Sequence, residues 1–186
     1  MKERGIIFTT DNVRLIEANK KGQTRRVVKN LAPHDVPTGI VDGYKLAIKS
    51  HIFGDFYDDL LYSCPYGQPG DRLYIKETWR PCEIPHCSDS LCVEYRANER
   101  CKNGHLATLN RKGWKSSMFM PKALARIWLE IADIRLERLQ DISESDARAE
   151  GVKDVAEYKA EWDTINGKKN PWSSNPWVWV IEFRKP

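Results

Sequence analysis

Lys21, Thr24, Arg25 and Arg26 stand together in the run Lys21-Gly22-Gln23-Thr24-Arg25-Arg26. On a helical turn an amine and a hydroxyl at this i, i+3 spacing share one face. A threonine hydroxyl is a weak nucleophile until a neighbouring base takes its proton. A lysine amine serves as that base where burial or nearby cations favour its neutral form, and Arg25 and Arg26 are such cations. The spacing alone has low specificity. Glu77 is the second candidate. In Arg72-Leu73-Tyr74-Ile75-Lys76-Glu77-Thr78-Trp79, strand alternation puts Leu73, Ile75, Glu77 and Trp79 on one face. A carboxylate among inward-pointing residues is either paired or used in chemistry. Lys76 and Trp79 beside it are candidate contacts for substrate or nucleic acid.

Arg14, Lys20, Arg25, Arg26 and Lys29 could follow a line of phosphates. The seven tryptophans and seven tyrosines offer stacking surfaces for bases, although Trp162, Trp177 and Trp179 fall on apolar faces and read as core. Cys82, His86, Cys87, Cys92, Cys101 and His105 are zinc-ligand types. Their spacing, C-x4-C-x4-C-x8-C-x3-H, lacks a compact C-x2-C pair. No metal site is expected, and Cys82, Cys87, Cys101 and His105 are its weak candidates.

The elements that must position these residues follow from periodicity. Gly5 to Thr9 reads as a strand. Asp11 or Asn12 caps a helix carrying Val13, Leu15 and Ile16, with Gly22 as its stop, and Arg25 to Lys29 leaves it as an extended basic segment. Residues 30–70 read as irregular, because Pro33, Pro37, Gly39, Gly43 and Gly54 break any period. Residues 72–79 and 91–96 read as strands, and 125–139 as two strands or one bent strand. Ser143-Glu144-Ser145-Asp146 opens a short helix that Gly151 closes. Val155, Tyr158, Trp162 and Ile165 mark an amphipathic helix ending at Asn166-Gly167. Residues 177–183 form the last strand. The order β-α-β-β-β-β-α-α-β, with few helices between strands, predicts an α+β fold: a small mixed or antiparallel β-barrel with flanking helices. No glycine-rich phosphate loop follows a strand, which argues against nucleoside-triphosphate chemistry.

Composition bounds the rest. The chain has 186 residues, 41% of them hydrophobic, with 30 basic and 26 acidic side chains for a net charge of +4. This fits one ordinary soluble domain. Eight Lys/Arg against three acids in residues 1–30 give that segment +5, so the remainder is nearly neutral. No apolar run nears the roughly 18 residues of a membrane span. Residues 1–10 lack the apolar core of a signal peptide, and the five cysteines are an odd number, so a reducing, cytoplasmic location without a disulfide framework is expected.

Several further segments complete a pattern. Gln68-Pro69-Gly70-Asp71 precedes the Glu77 strand; Met120-Pro121-Lys122 leads to Ala125-Arg126-Ile127; Leu139-Gln140-Asp141-Ile142-Ser143 and Asn175-Pro176-Trp177-Val178-Trp179-Val180 follow. With Lys21-x-x-Thr24-Arg25-Arg26 in front, the ordered set resembles the ASCH domain proteins of the PUA-like superfamily, most of all the versions found in phages and prophages. The resemblance spans a single domain, 1–186, with about 31–63 and 80–118 as variable inserts. It implies a PUA-like β-barrel with a cleft for a nucleobase or nucleic acid. It also implies an amidohydrolase, needing no cofactor, that removes the acetyl group from N4-acetylcytidine. In those enzymes a lysine, a threonine three residues on and a strand glutamate form the catalytic set, which falls here on Lys21, Thr24 and Glu77. Thr24 would attack the N4-acyl carbonyl with Lys21 as base. Glu77 would orient Lys21 or manage the leaving amine's proton, and Arg25 or Arg26 would steady the oxyanion or hold a phosphate. The implied partner is a modified nucleoside or single-stranded RNA or DNA. Other members bind RNA or act as ribonucleases, so a binding module and a nuclease are the alternatives.

Overall fold

Trp177-Val-Trp-Val-Ile-Glu-Phe-Arg184 is apolar on both of its period-2 faces, the pattern of a strand covered on both sides. The computed structural model describes residues 1–29, 35–41, 45–52, 55–82, 92–98, 100–101 and 113–186, and in it this segment is one of the central strands. In chain order the elements are β1 (Glu3–Ile7), α1 (Thr10–Glu17), β2 (Gln23–Val27), β3 (Asp35–Val41), β4 (Lys45–Ile52), β5 (Asp55–Ser63), β6 (Arg72–Lys76), β7 (Trp79–Pro81), β8 (Val93–Tyr95), β9 (Arg100–Cys101), β10 (Trp128–Arg138), α2 (Glu144–Ala149), α3 (Val155–Asn166) and β11 (Trp177–Arg184). The class is α+β. The main sheet runs β1-β6-β10-β11-β2. Only β1 and β6 are parallel; the other pairs are antiparallel.

The alternation of β11 divides the core in two. Trp179, Ile181 and Phe183 pack with Ile6 and Phe8, with Val13 and Ile16 of α1, and with Leu73, Ile75, Leu129 and Ile131. On the opposite face, Val178 and Val180 pack with Leu139, Ile142, Ala147 of α2, and Tyr158 and Trp162 of α3. Residues 128–138 form one strand, with a bulge between Ile131 and Asp133, so the bent-strand reading is the one observed. Ser143 caps α2 through Asp146 N–H at 3.1 Å, as its sequence predicts. Among the described residues no helix is long and apolar enough to cross a membrane.

Four sequence expectations change. The cap of α1 is Thr9, whose hydroxyl accepts from Asn12 N–H at 3.2 Å, and not Asp11 or Asn12. The helix stops well before Gly22: it ends at Glu17 and turns through Asn19 at φ 55°, a conformation that asparagine tolerates. Within residues 30–70, which read as irregular in the sequence, the described 35–41, 45–52 and 55–63 form the antiparallel strands β3-β4-β5. Its register slips between Pro37 and Gly39, a bulge of the kind that admits both residue types. The strand expected over 72–79 breaks after Lys76 and resumes at Trp79 in a different sheet, β7-β8-β9, so Glu77 lies between strands.

No closed barrel forms among the described strands. β1 and β2 are the two ends of the main sheet and do not pair with each other. Instead of a ladder bond, a side chain spans them: Arg26 Nη2 donates to the Ile7 carbonyl at 2.7 Å, and its guanidinium lies 5.0 Å from the Phe8 ring centre. This leaves a seam between the sheet's ends.

Asp71 ties the start of β1 to the turn before β6. Its carboxylate accepts from Lys2 N–H at 2.6 Å, Gln68 N–H at 3.3 Å and Arg4 Nη1 at 3.1 Å. Burial, the largest influence, pushes its pKa up, but these donors together hold it below the ordinary 3.8. An acid held low in the fold contributes stability that is complete above its unfolded value and is lost as pH falls through the folded value. Urea titrations of the native protein and Asp71→Asn should therefore differ at neutral pH and converge below about pH 3.8. A gap that stays constant into acid would contradict this role.

Candidate functional site

The seam between β1 and β2 opens into a cavity of about 330 Å³, within the roughly 300–1,000 Å³ range of small-molecule pockets. Ile7, Phe8 and Asn12 line it from the β1–α1 side. Lys21 and Thr24 through Val27 line it from β2, and Tyr158, Glu161 and Trp162 from α3.

β2 is an edge strand, and its pairing fixes what each residue offers. Gly22 accepts from Phe183 N–H, and Val28 N–H donates to Trp177, both at 2.9 Å. Antiparallel bonding alternates, so Thr24 and Arg26 exchange bonds with Ile181 and Trp179. The main-chain groups of Gln23, Arg25 and Val27 therefore point off the open edge. Side chains alternate too: Thr24 and Arg26 share the face of the Phe8 core, whereas Arg25 and Val27 share the face of α2 and α3.

Lys21 is placed by the end of α2. Gly22 N–H donates to the Ala149 carbonyl at 2.9 Å. Lys21 Nζ donates to the Glu150 carbonyl and to Glu150 Oε2, each at 2.6 Å. A cation here answers the carbonyls left open at a helix C-terminus. Two of the three positions on the tetrahedral nitrogen are thus taken, and one remains. Glu150, 2% exposed, also accepts from Arg25 Nη1 at 3.3 Å. Arg25 Nη2 continues the network to Glu137 at 2.9 Å and Asp146 at 3.1 Å. Arg135 closes it with bonds to Glu137 at 2.5 Å and Asp146 at 2.8 Å, and with a contact to Glu182. Burial works to raise Asp146, but the Ser143 bond and the two guanidiniums outweigh it and hold that carboxyl below its ordinary value.

Gly151 allows this approach. It stands at φ +96°, and a Cβ there would meet Leu15 Cδ1 at 2.9 Å and Lys21 Cβ at 3.4 Å. Gly151→Ala should cost about 1–2 kcal/mol for the left-handed backbone alone, with a further loss from moving Lys21. Chemical denaturation reads the cost; a neutral substitution would mean that the turn relaxes freely.

Three of the buried side-chain atoms without a hydrogen-bond partner among the described residues belong to this lining: Asn12 Oδ1, Arg25 Nε and Arg26 Nε. Buried polar atoms are seldom left unpaired, and three such atoms belong to residues that line this one cavity. Burial pulls the Arg26 guanidinium below its ordinary pKa and pushes the Tyr158 phenol well above its own. Tyr158 and Trp162 add apolar surface, with ring centres 6.2 Å apart.

Lys21, Thr24, Arg25 and Arg26 therefore meet at one cavity. Glu77, Lys76 and Trp79 are not among its lining residues. Glu77 is buried and held by Arg126 through two bonds, 2.8 and 2.9 Å, while Arg126 also reaches Glu17. Burial lifts the Glu77 carboxyl above its ordinary value despite this partner. The Lys76 amine donates to the Met118 carbonyl at 2.5 Å. Trp79 is core, packed with Val93, Tyr95, Met120 and Leu124. The physical reason is the strand break after Lys76, which separates Glu77 from the regular alternation. The acid that does face Lys21 is Glu150, and the sequence reading missed it. Its signal was an acidic residue just before a helix-closing glycine, a position that the helix dipole disfavours. Asn12 and Glu161 were missed as well.

Among the weak metal candidates, Cys87 and His105 lie outside the described residues, and among those described no group of three or more Cys, His, Asp or Glu is arranged to hold a metal. No family model, curated protein or solved structure matches the chain.

Proposed function

We propose that the cavity takes up a modified pyrimidine nucleoside, free or unstacked from single-stranded nucleic acid, and cleaves its N4-acyl amide, in a cytoplasmic protein of the PUA-like, ASCH type. The observation that carries this reading is that Lys21 and Thr24 line one cavity with a carboxylate on the lysine nitrogen. The two ends of the sheet facing one seam are what a PUA-like barrel with an open cleft would look like.

The chemistry balances as follows. Lys21 acts in its amine form, its proton lost to solvent, and Glu150 orients it by accepting from Nζ. The Thr24 hydroxyl attacks the acyl carbon and its proton passes to Lys21 Nζ. Arg26, or Arg25 from its unpaired Nε, steadies the oxyanion. The C–N4 bond breaks as N4 takes the proton from Lys21. Water then hydrolyses the Thr24 ester and releases the acid. Glu150 thus takes the role that the family resemblance gives to Glu77.

One observation favours a second reading. Lys21 bonds to Glu150 and makes no hydrogen bond to Thr24, which suits a non-catalytic module that holds a base in the cavity and phosphates on Lys29 and its neighbours. Incubation with N4-acetylcytidine, followed by chromatography, separates the two. Cytidine and acetate are expected from the enzyme; salt-sensitive RNA retention on filters without any product would favour the binder. Cleavage of labelled single-stranded RNA instead would point to a nuclease.

A further inference from the structure

Asn12 sits at the first turn of α1, 7% exposed, and lines the cavity. Its Nδ2 donates to Thr9 Oγ1 and to Glu161 Oε1, both at 3.0 Å. A carboxylate only accepts hydrogen bonds, so Glu161 fixes which way the amide faces. Nδ2 must turn toward α3, and Oδ1 is left as an acceptor with no partner among the described residues. The other unpaired atoms of the lining, Arg25 Nε and Arg26 Nε, are donors. The residues lining the cavity thus hold one acceptor and two donors without partners among the described residues, and Glu161 of α3 imposes the orientation of the Asn12 amide.

We propose that Asn12 is the residue that selects the base, its Oδ1 accepting an exocyclic N–H, and that Glu161 is a positioning residue that holds it so. This rests on the nucleoside reading above. A 4-amino or 4-acylamino pyrimidine presents an N–H donor at that position, with ring N3 or O2 as an acceptor for the arginine that does not hold the oxyanion. A 4-oxo pyrimidine presents an acceptor there, and would set two oxygens against each other.

Calorimetric titration with cytidine and uridine tests it, because neither carries an acyl group to cleave. The native protein should bind cytidine about tenfold or more tightly than uridine, the scale of one well-placed hydrogen bond between base and protein. Asn12→Ala should collapse that ratio. Glu161→Gln should lower it too, because a glutamine amide can donate to Oδ1 and let Asn12 turn Nδ2 into the cavity. In Asn12→Asp/Glu161→Gln an acceptor is restored, and the preference for cytidine should return. A merely structural Asn12 would weaken both ligands equally. If cytidine binds but the ratio is unchanged in Asn12→Ala and Glu161→Gln, this inference is overturned and the nucleoside reading stands. If the folded native protein binds neither nucleoside, both fall.

Discussion

Glu150→Ala should destabilise the protein by about 3–5 kcal/mol, the usual cost of leaving a buried charge without its partner. The substitution strands Lys21, which is 6% exposed and, among the described residues, has only the main-chain carbonyl of residue 150 as its remaining acceptor. Arg25 suffers less, because Glu137 and Asp146 still hold its Nη2. The loss should be reversible by removing the stranded charge. Lys21→Met/Glu150→Leu fills a similar volume with apolar atoms, and buried pairs replaced in this way often cost nothing. Urea denaturation of Lys21→Met, Glu150→Leu and the double variant gives the coupling directly. A double variant as unstable as the sum of its singles would mean that Lys21 and Glu150 act independently, against the geometry.

Thr24→Val should lower turnover of N4-acetylcytidine by about 10³-fold or more, since it deletes the nucleophile, while hardly touching the fold. Valine keeps the shape, and the Thr24 hydroxyl has no hydrogen bond among the described residues to lose. The stability cost should stay below about 1 kcal/mol. Lys21→Met should reduce turnover by about 10²–10⁴-fold, the range for a lost general base, and it also leaves Glu150 with Arg25 alone. Glu77→Gln should change turnover far less than either, because its carboxylate faces Arg126. Comparing kcat across these variants, each checked for folding by circular dichroism, ranks the roles. Full activity in Thr24→Val would remove the acyl-enzyme route.

How far the chain could be read ahead of its structure depended on whether the deciding contact was local. The apolar faces of β11, the Ser143 cap and the α3 stripe through Tyr158 and Trp162 are periodic or capping signals within a few residues, and they hold. The β3-β4-β5 meander was hidden because Pro37 and Gly39 read as breakers, while the structure places them at a register slip. The site divides similarly. Lys21 and Thr24 share a short segment, but the helical turn that their spacing assumed is absent: Thr24 lies in β2 and Lys21 two residues before it. Glu150 lies 129 residues from Lys21 along the chain, and it becomes their partner only because Gly22 docks on the end of α2. Asn12 and Glu161 meet across 149 residues. Glu77 was drawn in by an alternation that assumed one continuous strand, and the strand ends one residue before it.

The most direct measurement is an amide chemical-shift map of the Thr24→Val protein titrated with N4-acetylcytidine, which should bind without being consumed. Saturable shifts are expected at residues 7–12, 21–27 and 158–170, around the seam, with the amides of Glu77 and Trp79 unmoved. Shifts concentrated at 76–79, or none at millimolar nucleoside, would contradict a ligand site between β1 and β2.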